Sequence, residues 1–123
     1  MSNRQKVFID DAKKPATLEG FQDMFNQIYP AEKRTLEHAG IHLAEELGEF
    51  SESLLTYRGG RKDDDFDNVK LEAADLYSCY MSVFNSLELS SAKELAKIFS
   101  HNCHQCNKAP CECSFTTITL YKS

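Results

Sequence analysis

The chain has 123 residues, enough for one domain with its own core and too few for two independent ones. Hydrophobic and charged contents of 41% and 27% are ordinary for a globular chain, and a net charge of −5 argues against binding to a nucleic-acid backbone. No apolar run approaches the roughly 20 residues of a membrane helix, and the charged N-terminal stretch does not resemble a secretory signal. We therefore expect a cytoplasmic protein that contacts neither nucleic acid nor membrane.

The first half of the chain predicts two helices. Thr17 is the predicted N-cap of the first, in which apolar residues recur at three- and four-residue steps until Pro30 ends it. A second, long helix is predicted over residues 31–57, with a leucine-rich apolar stripe. Two glycines and a cluster of charges predict a loop over residues 58–68.

The second half predicts two more helices, so the fold class is all-α. The third helix, over residues 69–87, is apolar almost all round and is predicted to be central. The fourth begins at Ser91, which has the spacing of a capping box to Glu94. Residues 1–15 are expected to form a loose arm, and residues 115–123 show the alternation of a short strand.

Carboxylates are concentrated on the second and third helices. By themselves Glu45, Glu46 and Glu49 indicate no more than a solvated helix face. On the third helix, however, Glu72 and Asp75 share a narrow stripe with small residues on an otherwise apolar surface. Neighbouring antiparallel helices would bring the two sets together, and an all-carboxylate site suits Mg²⁺ or Mn²⁺ better than zinc.

The spacing of these carboxylates resembles a known family. "EELGE" at residues 45–49, followed after 22 residues by "EAAD" at residues 72–75, is similar to the E-x-x-E and E-x-x-D motifs of the MazG-like all-α nucleoside triphosphate pyrophosphohydrolases. The likeness covers about residues 18–102 and implies a four-helix MazG-like bundle as a domain over residues 1–102. It also implies a homodimer or homotetramer. The Mg²⁺ (or Mn²⁺) ligands that it implies are Glu46, Glu49, Glu72 and Asp75.

The resemblance implies hydrolysis of a nucleoside or deoxynucleoside triphosphate to the monophosphate and pyrophosphate, in nucleotide-pool housekeeping. Glu49, assisted by Glu46, is the expected catalytic group that accepts a proton from water. Asn85, Lys97 and Asn102 are the expected substrate-binding residues. Two alternatives stay open: a phosphoribosyl-ATP pyrophosphohydrolase with the same chemistry, and a non-catalytic helical scaffold whose tail binds a partner.

A cysteine-rich segment follows the helices. Its pattern is Cys-x2-Cys-x4-Cys-x-Cys, and four such close sulfurs can surround one tetrahedral Zn²⁺. We expect a structural zinc site in a tail over residues 103–123 that packs on the helical domain, with His101 or His104 as an alternative to one sulfur. The predicted ligands are Cys103, Cys106, Cys111 and Cys113.

Overall fold

The computed structural model describes residues 11–114, in which all regular secondary structure is helical and no strand is present. The all-α prediction is therefore confirmed. None of the helices in this part of the chain is both long and apolar enough to cross a bilayer. The predicted strand at residues 115–123 and the first ten residues of the arm lie outside the described residues. Short 3-10 helices at Asp11–Lys13 and Ala31–Lys33 accompany four α-helices: α1 (Leu18–Ile28), α2 (Leu36–Gly60), α3 (Asp63–Ser86) and α4 (Ser91–Ile98).

Hydroxyl side chains cap three of the four helices. Thr17 caps α1 as predicted, because its Oγ1 accepts a hydrogen bond from the Gly20 amide at 3.0 Å. The long second helix was predicted to start at residue 31, but α2 begins only after Thr35, whose Oγ1 accepts from the His38 amide at 3.1 Å. Ser90, not Ser91, caps α4. A local side-chain hydrogen bond thus marks the start of α1, α2 and α4.

The prediction of a loop over residues 58–68 is wrong. Helix α2 continues through both glycines to Gly60, and α3 starts at Asp63, so only Arg61 and Lys62 connect them. Arg61 takes the left-handed conformation (φ 51°) that ends α2, and acidic residues fill the first turn of α3, where the helix dipole favours negative charge. The charge cluster was therefore a helix start rather than a loop.

This tight connection makes α2 and α3 a hairpin, which is the main packing contact of the fold. Helix α1 packs on α3, and α4 packs on α1. Among the described residues the buried hydrophobic side chains are only Ala39, Cys79 and Met81. Large apolar side chains on the hairpin stay exposed, such as Leu47 at 53% and Tyr77 at 62%. A single chain therefore leaves an unusually large part of its apolar surface in water.

A polar network ties α1 to the ends of α3 and α4. The buried Gln22 donates from Nε2 to Asn85 Oδ1 at 2.9 Å and to the Leu89 carbonyl at 2.7 Å. Its Oε1 accepts from both the amide and the hydroxyl of Ser91, each at 2.9 Å. Asn85 Nδ2 donates back to the Gln22 carbonyl at 3.1 Å. Every polar atom of this buried amide is satisfied, so the network fixes the angle of α1 against the other helices.

Candidate functional site

Three of the predicted ligands meet between α2 and α3. Glu46 from α2 and Glu72 and Asp75 from α3 each offer an oxygen within 4.8 Å of the others. Glu46 is 9% exposed and Glu72 only 2%, so both carboxylates lie below the surface. The arrangement joins residues 26 or more positions apart in sequence through the packing of the hairpin. We call this region, with Glu49 one turn further along α2, the carboxylate groove.

Two oxygens in the groove are buried without a hydrogen-bond partner among the described residues. They are Oε2 of Glu46 and Oε2 of Glu49. The other oxygen of Glu46 pairs with His42 Nε2 at 3.3 Å, one helical turn earlier. A buried carboxylate oxygen without a donor costs free energy that a bound cation would offset. The oxygen donors present therefore fit a hard divalent cation.

Glu49 does not belong to the group of three. It lines a neighbouring cavity of about 270 Å³ together with Ser53 of α2 and Asn68 and Glu72 of α3. This cavity continues the groove toward the turn between the helices. The role of Glu49 as a metal ligand or as a base therefore stays a prediction, since the structure places Glu49 beside the group of three carboxylates but not within it.

Cys79 lies near Glu46 with Arg34 beside it, and neither Arg34 nor Cys79 was predicted to be functional. Burial raises the pKa of the Cys79 thiol, and the Arg34 guanidinium beside it acts in the opposite direction. One terminal nitrogen of Arg34, Nη2, is buried without a hydrogen-bond partner among the described residues. No periodic pattern could have identified Arg34, because it lies just before the Thr35 cap and outside the helix stripe.

The predicted substrate-binding residues lie elsewhere. Asn85 uses both ends of its side chain in the network with Gln22, and it lies ten positions beyond Asp75 along α3, a distance of about 15 Å. Lys97 pairs with Glu94 at 3.0 Å on the exposed side of α4. Asn102 is exposed beside the cysteine-rich segment. The structure does not bring these three side chains to the carboxylates, and their binding roles stay predictions.

The four predicted sulfur ligands do meet. All four Sγ atoms lie within 4.8 Å of one another and form a group that contains neither His101 nor His104. Two sulfur pairs are closer still: Cys103 and Cys113 at 3.7 Å, and Cys106 and Cys111 at 3.8 Å. A tetrahedral zinc ion with Zn–S bonds of about 2.3 Å would separate its sulfurs by about 3.8 Å, whereas a disulfide needs about 2.05 Å. This cysteine cluster could therefore hold a metal such as zinc.

Backbone amides prepare the cluster for negative charge. Amide N–H groups of Cys106 and Gln105 lower the pKa of Cys103 to about 6, so one thiolate is already favoured at neutral pH. Hydrogen bonds with Cys111 and Cys103 raise the pKa of Cys113 to about 12. The charge of the Cys103 thiolate adds to this shift, because it repels a second thiolate. A divalent cation would remove that repulsion and allow all the sulfurs to bind as thiolates.

A ring contact joins the cluster to the helices. The His104 ring meets Phe99 edge to face at 5.2 Å between centroids, just beyond the end of α4. His104 thus has a packing contact of its own, and His101 is exposed. The alternative in which a histidine replaces one sulfur has no support in this arrangement, because the group of metal-binding atoms consists of four sulfurs.

Comparison with known proteins gives no match among family models, curated proteins or solved structures. The function is therefore inferred from the residues and geometry of this chain.

Proposed function

We propose that this protein is a Mg²⁺-dependent nucleoside triphosphate pyrophosphohydrolase, which converts a triphosphate and water into the monophosphate and pyrophosphate. The observation that carries the proposal is the meeting of the buried Glu46 and Glu72 with the half-buried Asp75 on two facing helices. The order of the two acidic motifs resembles that of the MazG-like family, and carboxylate oxygens are the ligands that Mg²⁺ or Mn²⁺ prefers. A role in nucleotide-pool housekeeping accords with the predicted cytoplasmic location.

The residues of the groove have different proposed roles. Glu46, Glu72 and Asp75 would hold the metal, and Glu49 would either complete its ligands or act as the general base. When bound, Mg²⁺ would neutralise part of the triphosphate charge and lower the pKa of a water molecule. Glu49 suits the base because its Oε2 is buried without a hydrogen-bond donor among the described residues, so it can accept the proton of a water that attacks the α-phosphorus.

The cysteine cluster is proposed to hold a structural Zn²⁺. Sulfur separations of 3.7 and 3.8 Å match the edges of a tetrahedral ZnS₄ site. Four protein ligands close such a site and leave no position for a substrate. Zinc would therefore brace the tail against α4 rather than take part in hydrolysis.

The assembly is proposed to be a homodimer or homotetramer. The support is the exposed apolar surface of the hairpin, which includes Leu47 and Leu54 on α2 and Tyr77 and Tyr80 on α3. Burial of this surface between copies would supply the core that one chain lacks. The same helices carry the carboxylates, so an interface here would lie close to the groove.

The decisive test is product analysis on a panel of nucleoside and deoxynucleoside triphosphates with Mg²⁺, with and without EDTA. We expect pyrophosphate and monophosphate from at least one of them, and no product with EDTA. Phosphoribosyl-ATP belongs on the panel, because turnover of that compound alone would identify the variant reaction. Zinc-loaded protein that hydrolyses none of these compounds and binds no Mn²⁺ at the groove would instead be a scaffold.

A further inference from the structure

Arg34 has an unusual position between the two helices that build the carboxylate groove. It ends the 3-10 helix Ala31–Lys33, which packs against α3, and it directly precedes Thr35, the N-cap of α2. Its guanidinium lies beside Cys79, a buried residue of α3 one helical turn, or about 6 Å, beyond Asp75. Arg34 therefore places a positive charge at the α4-proximal end of the stripe that carries the metal ligands.

The guanidinium hydrogen-bonds the Cys79 side chain and still has one terminal nitrogen without a partner among the described residues. Nη2 is buried and has no acceptor among the described residues. An arginine cannot lose its proton to relieve this cost, because its pKa stays above about 12 in proteins. The neighbouring Lys33, by contrast, is exposed to water. A buried cationic donor without an acceptor, beside a groove that suits a divalent metal, points to an anion as the missing partner.

We propose that Arg34 binds a phosphate group of the nucleoside triphosphate, an inference that depends on the proposed function. A guanidinium matches phosphate with two parallel hydrogen bonds, which a lysine cannot reproduce. A triphosphate is a chain of phosphates, so one part can meet the metal held by Asp75 while another reaches a cation one turn along α3. Arg34 thereby gives the groove a positive group that the carboxylates themselves cannot supply.

The test measures anion binding and turnover separately. Tripolyphosphate binding with Mg²⁺ is followed by calorimetry, and KM is measured for the best triphosphate of the panel. Arg34→Gln should weaken tripolyphosphate binding and raise KM by roughly 10- to 100-fold, the range for a hydrogen bond between charged groups. Arg34→Lys should fall between this variant and the wild type. Lys33→Gln, which removes the same charge from the adjacent exposed position, should stay within about twofold.

Metal binding distinguishes a failure of the Arg34 inference from a failure of the proposed function or of folding. Electron paramagnetic resonance measures Mn²⁺ binding in the absence of phosphate. The Mn²⁺ affinity should be unchanged in both Arg34 variants, and this result would show that the carboxylates are intact. If Arg34→Gln does not fold, Arg34→Lys decides, because it keeps the charge and loses only the paired hydrogen bonds. Tripolyphosphate affinity and KM within twofold of the wild type in a folded variant would overturn the inference while hydrolysis itself stands. Arg34-dependent tripolyphosphate binding without hydrolysis of any triphosphate would instead overturn the proposed function and retain the anion site.

Discussion

The carboxylate groove and the cysteine cluster are assembled in opposite ways. The cluster takes its ligands from residues 103–113, and backbone amides of the same segment, such as that of Glu112 to Cys106 Sγ at 3.4 Å, stabilise them. The groove takes its ligands from two helices and exists only when α2 packs against α3. The cluster is therefore a local structure with soft donors, whereas the groove is a product of tertiary packing with hard donors.

This difference has consequences for both stability and function. A metal that binds a local segment contributes free energy to the folding of that segment. A metal that binds across two helices stabilises their packing instead, and it offsets the repulsion of carboxylates that lie within 4.8 Å of one another. Four perturbations test this difference.

The largest effect should come from the groove. Asp75→Asn removes one negative ligand, so we expect Mn²⁺ affinity and kcat/KM to fall by at least about 100-fold, since a catalytic metal supplies several kcal/mol. Asp67→Asn on the same helix is the matched control, because Asp67 is exposed and pairs with Lys70 at 3.0 Å. Retained activity in Asp75→Asn, with helical content unchanged, would disprove the assignment of this ligand.

The cysteine cluster should respond independently. Cys106→Ser is expected to reduce the zinc content from about one ion per chain to a small fraction, because a structural site needs all four ligands. Hydrolysis should fall much less than in Asp75→Asn, since the groove lies on other elements. Cys79→Ser is the control for zinc content, measured by atomic absorption, because Cys79 is a buried residue of α3 that lies outside the cluster. Equal zinc in Cys106→Ser and wild-type protein would contradict the four-sulfur site.

A global loss of stability should affect the groove before the cluster. Gln22→Leu leaves the partner groups of Asn85, Leu89 and Ser91 unsatisfied, so we expect the free energy of unfolding to fall by about 2–3 kcal/mol. The control variant Gln27→Leu, at an exposed position, should change the free energy of unfolding by less than about 0.5 kcal/mol.

In urea titrations we expect Mn²⁺ binding to be lost together with the helical signal, while zinc is released at higher urea. Simultaneous loss of both metals would mean that the cluster depends on the bundle.

The smallest effect concerns the start of α2. Thr35→Ala removes the side-chain oxygen that accepts from the His38 amide, which should cost about 1 kcal/mol and lower Tm by a few degrees. Ser51→Ala, at an exposed position within the same helix, should leave Tm unchanged or slightly higher, because alanine favours helix. Calorimetric melting of both variants measures the difference. A Thr35→Ala variant as stable as wild type would show that tertiary packing alone positions this end of α2.

Sequence reasoning succeeded where a local interaction decides the structure. Thr17 was identified as a cap because an N-cap needs only an oxygen beside a free amide, and the cysteine ligands were identified because four sulfurs in eleven residues cannot be far apart. It failed at residues 58–68, where glycine and charge were interpreted as a loop. The same residues end one helix and start the next, since Gly60 precedes the left-handed Arg61 and aspartates favour the first turn of α3.

The sequence by itself determined the all-α class, the first helix, the cysteine cluster and the two acidic motifs. Only the tertiary structure decided that Glu46, Glu72 and Asp75 meet while Glu49 lies beside them, that Asn85 is held in a network, and that Arg34 reaches Cys79. The physical reason is that periodicity assigns a residue to a face of its own helix. The rotation of one helix against another, which depends on packing throughout the fold, decides which residues of two such faces come into contact.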